Sequence, residues 1–323
     1  PTGADENAGT TDREPMATAA KATSTLKAGD TLYLMPGVYA EPLIITGVGT
    51  EAQPIRIRAH GKETVTLPSA HVTGSWVELE GVTVAGGKES GIVVTGQNNT
   101  LRSCVIRDHA RAGIELSGAV TASVLSCTIV RNGTGISLEK GTRGTVVRDC
   151  ILAANTTRAL AFADDSRQGY LGSNNNYWGD GLDKARIESE RRSVAGDPRF
   201  TSAAKNDFRL VWDSPASHLG PFGRPAGAFP AATRKPDIED VSVNGISATA
   251  ASVTWRTPRD DSTGIVNWRG KGDKTWRKTA GSPQGTVHGF GLKGLLPSTD
   301  YLVQVRADGR RGGWALSEIV SFK

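Results

Sequence analysis

The chain has 323 residues and a formal net charge of +5, with 39 glycines and only 6% aromatic residues. That length admits two domains, and the glycine-rich, aromatic-poor balance suits an all-β chain with many turns. No apolar run approaches the roughly 20 residues that a membrane helix needs, and no basic block is interleaved with aromatics, so the expectation is no membrane span and no nucleic-acid partner.

The charge is not spread evenly. Residues 236–323 carry 12 Lys and Arg against 9 Asp and Glu, which leaves 26 against 24 for residues 1–235. The chain begins at Pro1 rather than Met, which points to a leader or tag ahead of it, and a signal peptide fits that position.

From the amino terminus, Asp12 and Pro15 followed by Met16, Ala19, Ala20, Thr23 and Leu26 give a capping residue, an early proline and apolar positions at helical spacing. A short helix here is expected to cover an open end of the array that follows. Residues 28–39 then read as turn, strand and turn, with further short strands at 43–46, 55–59 and 65–67 between Gly and Pro.

Between Val77 and Phe162 one pattern is written four times. It consists of Val82-Thr83-Val84 with Gly91-Ile92-Val93-Val94, then Cys104-Val105-Ile106 with Gly113-Ile114-Glu115-Leu116. Next come Cys127-Thr128-Ile129 with Gly135-Ile136-Ser137-Leu138, and Cys150-Ile151-Leu152 with Ala159-Leu160-Ala161-Phe162. The cysteines recur every 23 residues and the Gly-Ile pairs every 22. A fixed period in the twenties marks a solenoid, and two short β-rich runs per period make its unit a coil of parallel β-helix.

Strand alternation assigns the faces. Ile114 and Leu116 point inward while Gly113, Glu115 and Ser117 point out, giving outward columns Val93/Glu115/Ser137/Ala161 and Thr95/Ser117/Glu139/Ala163. Five residues after each cysteine slot stand His109, Asn132 and Asn155, a turn column in which stacked Asn side chains bond to one another and to backbone. Cys104, Cys127 and Cys150 share one slot. With no Cys-x-x-Cys or Cys/His spacing they read as an internal stack of three free thiols, since in-register neighbours about 4.8 Å apart with parallel Cβ vectors suit a disulfide poorly.

The runs 28–39, 49–59 and 76–84 resemble the opening of secreted right-handed β-helix proteins, a pectate-lyase-like group that includes the alginate-lyase and chondroitinase-B-like polysaccharide lyases. The resemblance implies a right-handed parallel β-helix, a polysaccharide substrate, an extracellular or periplasmic location and, by the habits of those lyases alone, Ca²⁺. Their Asn-Lys and Leu-Arg-His-Gly catalytic segments are absent, and Leu101-Arg102-Ser103-Cys104 keeps only Leu-Arg. No column of Asp residues suggests a Ca²⁺ site.

After Phe162 the period loosens. Residues 173–179 turn the last coil, 180–193 read as a charged excursion loop, and the segments 197–200, 207–210 and 214–216 resemble the closing piece of such helices, expected over the final coil. Asp197 falls in that piece and reads as structural. Pro221 to Pro230 is Pro/Gly/Ala-rich and reads as linker. Beyond it, residues 252–255 and 295–305 resemble strands B and F of a fibronectin type III domain, with Trp255 as the buried Trp and Tyr301 as the tyrosine-corner residue. The expected organisation is a β-helix over 1–220, a linker over 221–235 and an all-β sandwich over 236–323, as a monomer. Trp268 and Trp276 offer a sugar-stacking platform or, more simply, packing.

A solenoid of this kind has no internal cavity, so chemistry belongs on an outer face. His109, Arg111, Glu115, Glu139 and Lys140 are the candidate catalytic residues, with Arg143 and Arg148 as nearby cations. In β-elimination a base takes the C5 proton of a uronate while a cation neutralises its carboxylate. Glu115 and Glu139, one coil and one two-residue step apart, stand about 8 Å apart at the backbone, inside the roughly 6.5–9.5 Å window of an inverting carboxylate pair. Three readings follow: polysaccharide lyase, non-catalytic glycan binding or surface attachment, and inverting glycoside hydrolase.

Overall fold

Short apolar strands bury an inner face only against their neighbours, and in the computed structural model they do so as a right-handed parallel β-helix. The structure describes residues 3–61, 63–179, 189–211, 213–221, 224–229, 236–258, 262–309 and 314–323. Contacts divide the chain into two units, Pro1–Ala231 and Ala232–Lys323.

Six complete coils each contribute one strand to three parallel sheets. Sheet A runs from Thr31–Leu34 to Leu171–Ser173, sheet B from Gly37–Val38 to Val194–Ala195, and sheet C from Leu43–Ile45 to Arg158–Phe162. The interior is a continuous column of Leu, Ile, Val and Cys side chains, including Ile57, Leu79, Ile106, Ile129 and Leu152. All three cysteines are free and buried, and the Cys127 amide points at the Cys150 sulfur, 3.4 Å away. The stack continues one coil further as Asn175, whose Oδ1 accepts from the Cys150 amide at 2.9 Å.

Left-handed residues turn the corners, among them Ser103, Ser126 and Asp149 before the cysteine slot, and Asp108, Arg131 and Ala154 before the ladder column. In that ladder Asn132 donates to Ile106 O and to Asn155 Oδ1, while Asn155 donates to Ile129 O. The ladder also explains the recurring glycine. A Cβ at Gly91 would stand 2.7 Å from His109 Nε2, one at Gly113 2.7 Å from Asn132 Nδ2, and one at Gly135 3.1 Å from Asn155 Nδ2. Each ladder side chain thus crosses the glycine of the preceding coil. Gly113, expected to face outward, instead points at this interior column.

The amino-terminal helix is shorter than its pattern suggests. It spans Ala19–Ser24 and is capped by Thr18, whose amide and hydroxyl are held by Asp5, rather than starting at Asp12. Ala22 and Thr23 are its buried residues.

The closing segment also departs from expectation. It lies along the flank of sheet B, not over the final coil. Outward-facing Val105, Val130, Ile151 and Ala153 pack against Phe208, Leu210, Ala216 and Ala226. Arg131 fastens it, with a two-point ion pair to Asp108, a 2.7 Å bond to Ala203 O and its guanidinium 5.2 Å above the Phe208 ring. The expected linker begins on this same surface, because Gly227 N donates to Asp149 O and Ala228 N to Thr128 Oγ1. Residues 222–223 and 230–235 of that linker lie outside the described residues.

Glu190 closes the solenoid's carboxyl end. It is 8% exposed and accepts from the hydroxyls of Tyr170, Tyr177 and Ser193 and from Asn175 Nδ2, at 2.7–3.1 Å. Residues 180–188 of the expected excursion loop lie outside the described residues.

The second unit is a sandwich. Glu239–Asn244, Ala250–Arg256 and Val287–Lys293 form one antiparallel sheet. Arg277–Lys278, Ser262–Gly270 and Tyr301–Gly309 form the other, with Trp314–Leu316 and Val320–Phe322 both pairing to the last strand. Trp255 is buried and stacks on His288 with ring centroids 5.1 Å apart. The Tyr301 hydroxyl accepts the Leu296 amide at 2.7 Å, which is the tyrosine corner.

Candidate functional site

The outward face of sheet C carries the expected columns. Glu115 pairs in register with Val93 and Ser137, and Ser117 with Glu139. Arg111 sits at the corner where the chain leaves Val105–His109 in sheet B for Ala112–Ser117 in sheet C. Its side chain, 54% exposed, places Nη2 3.6 Å from Glu115 Oε2 and 3.7 Å from Glu139 Oε2. Both contacts exceed hydrogen-bond length, so the guanidinium is held by charge, and among the described residues its donors make no hydrogen bond.

The two carboxylates differ. Glu115 is 8% exposed and accepts the Ser90 hydroxyl at 2.7 Å. Glu139 is more open and is aimed by Ser137, whose hydroxyl donates to Oε1 at 2.8 Å. Arg111, Thr134, Ser137, Glu139 and Thr157 line a shallow cleft of about 230 Å³.

Three of the five candidates therefore meet. His109 does not: it is 2% exposed, fills the ladder position inside the wall, has no hydrogen-bond partner at Nε2 among the described residues, and its pKa is lowered by burial. Lys140 stands in the turn beyond Glu139 with a left-handed backbone and an exposed side chain, outside the cleft lining. Arg148 is on sheet A, paired with Asp149.

A Ca²⁺ ion does not fit these residues. The space between the two carboxylates is held by a guanidinium, and among the described residues no group of three or more His, Cys, Asp or Glu side chains is placed to hold a metal.

Sequence reasoning missed Ser90 and Ser137 as orienters. The signal for Ser137 was its place in the Glu115 column. Ser90 belongs to a turn whose reach across one coil no alternation pattern encodes.

Residues 1–157 match the family described as Pel9A-like, right handed beta helix region, and residues 236–323 match the purple acid phosphatase N-terminal domain. No curated protein matches the chain. Among solved structures, a mannuronic acid specific polysaccharide family 6 lyase from human gut microbiota is 15% identical, with 53% of this chain covering 46% of that one at a TM-score of 0.38. A fibronectin type III domain of human collagen XX is 23% identical over 30% of this chain and all of its own, with a TM-score of 0.24. A structure described as a myokine is 25% identical over 28% of this chain and 97% of its own, with a TM-score of 0.26.

Proposed function

We propose that this chain acts outside the cell on an acidic polysaccharide laid across sheet C, and that it cleaves the polymer by β-elimination. The observation that carries the reading is Arg111, a half-exposed guanidinium set between two oriented carboxylates, its donors making no hydrogen bond among the described residues. The family matched by residues 1–157 supports a carbohydrate-active β-helix.

In this reading Arg111 pairs with the uronate carboxylate, which makes the C5 proton more acidic. Glu139, the more open carboxylate, takes that proton as general base. The electron pair left at C5 forms the C4–C5 double bond, the C4–O bond breaks, and the departing oxygen takes a proton from water. Glu115 positions Arg111. An inverting hydrolase is not proposed, because its attacking water would stand where the guanidinium is.

Non-catalytic glycan binding is the second reading, favoured by the burial of His109 and the place of Lys140 outside the cleft. One experiment separates them. The protein is incubated with a panel of acidic and neutral polysaccharides, and unsaturated-uronate absorbance is read beside reducing ends. β-Elimination predicts both signals from a polyuronate, with Glu139→Gln or Arg111→Ala lowering turnover by about 10² or more and leaving the melting temperature in place. Retention of a polymer without either signal establishes the binding reading, and reducing ends without absorbance overturn elimination.

A further inference from the structure

The sandwich carries a surface that this reaction does not use. In its five-stranded sheet, Val266, Trp268, Val303 and Val305 face the core, which leaves Ile265, Asn267, Arg269, Leu302, Gln304 and Arg306 on the opposite side. Two tryptophans frame that side. Arg269 holds its guanidinium 4.8 Å above the Trp276 ring, and Arg306 holds its own 5.1 Å above Trp314, which is 51% exposed.

We propose that this outward face is a second polysaccharide-binding surface, taking a strand of acidic polysaccharide diagonally from Trp276 to Trp314. The polymer class rests on the functional reading above; the surface itself is independent of the sheet C cleft.

Three features fit that occupant. The first is shape: an open sheet face suits an extended strand, and pyranose rings lay their C–H faces against indole rings, here the half-buried Trp276 and the exposed Trp314. Trp276 stands at the edge beside Arg269, and Trp314 pairs with Asp308 on the far edge. Three strand spacings and six residues of strand put the rings roughly 20–25 Å apart. The second is charge, since Arg269, Lys278 and Arg306 stand against the single carboxylate Asp308 on these strands. The third is pre-organisation. Stacking fixes each guanidinium plane, and Arg269 is held further by a 2.6 Å bond from Nη1 to Asp273 O, with its Nε buried. Arg306 gives Nε and Nη2 to Asp308 Oδ1, and among the described residues Nη1 makes no hydrogen bond, which leaves it for a ligand. Asn267 and Gln304, cross-strand neighbours between the two stacks, supply neutral donors and acceptors for hydroxyls.

The test is affinity electrophoresis of the full chain through gels containing alginate, polygalacturonate or dextran. Retardation by a polyuronate and not by dextran, weakening with salt, is expected. Trp276→Ala with Trp314→Ala should weaken that retardation about tenfold, the combined scale of two lost aromatic contacts. Trp178→Ala, which removes an exposed tryptophan of the solenoid, should change nothing. Circular dichroism of the double variant checks that the sandwich is folded. Undiminished retardation of a folded double variant overturns the inference and leaves the cleft reading standing. Loss of turnover in Glu139→Gln with retardation intact supports both, and a wild type that no polyuronate retards overturns the inference outright.

Discussion

Replacing Glu190 by Ala tests whether the solenoid's carboxyl end is held by one buried carboxylate. Tyr177 is 2% exposed and its hydroxyl donates to the Glu190 carboxylate, so the substitution leaves a buried donor with only the Tyr170 side chain beside it. An orphaned buried donor costs about 1–3 kcal/mol, and each bond to a charged acceptor is worth about 1.5–3 kcal/mol. Asn175 retains Val147 O, and Tyr170 lies only part-buried, which lessens the loss. Removing the charge also relieves its desolvation, so the net is about 3 kcal/mol. At about 2–4 °C per kcal/mol for a unit of this size, the solenoid's melting temperature should fall by about 6–12 °C. Tyr177→Phe removes donor and hydroxyl together and should cost only about 1 kcal/mol. The assay is calorimetry, with the sandwich transition as internal reference. A solenoid shift under about 2 °C for Glu190→Ala, or an equal shift of both transitions, would refute the reasoning.

Two further outcomes follow from buried groups. Burial lowers the pKa of His109, so the folded state binds fewer protons than the unfolded chain below its ordinary pKa of about 6.5; stability present above that value is lost as pH falls through the folded one. His109→Asn, which extends the Asn132/Asn155 ladder, should flatten the solenoid's melting temperature between about pH 7 and 5, and an unchanged slope in differential scanning fluorimetry would count against the assignment. Burial also pushes the Cys127 thiol well up, and a hydrogen bond from its neighbour does the same for Cys104. Thiol titration should find no reactive cysteine in the native protein and three after denaturation, and a disulfide found by mass spectrometry would break the stack.

The period, the coil and the outward columns were legible because strand alternation and a fixed repeat act on every residue of the pattern. The Glu115 and Glu139 columns therefore came out as read. His109 misled because the same turn slot takes Asn in the next two coils, and a ladder position buries whatever occupies it. Alternation places Gly113 outward, yet its Cβ position lies against Asn132 Nδ2 and Ile129 beside the corner. The flanking cover leaves its mark in the sequence. Val105, Val130, Ile151 and Ala153 make sheet B apolar on both faces, the mark of a sheet covered on both sides. Glu190 had no such signal, since one acidic residue among several in the charged stretch 180–193 looks solvated until the fold surrounds it with hydroxyls.

The cover on sheet B has a consequence for how the protein is made. A ribosome delivers residues in order, and Val105, Val130 and Ile151 leave it roughly 55 to 120 residues before Phe208, Ala216 and Ala226 emerge to meet them. At roughly 5–20 residues per second, the nascent solenoid shows water a greasy stripe for several seconds on every round of synthesis. Two young chains meeting stripe to stripe would bury the surface that each reserves for its own tail. Crowded translation thus sets a hazard absent from the finished molecule, and Arg131, waiting beside that stripe with Asp108 already in hand, gives the late-arriving segment a landing point that a foreign chain lacks.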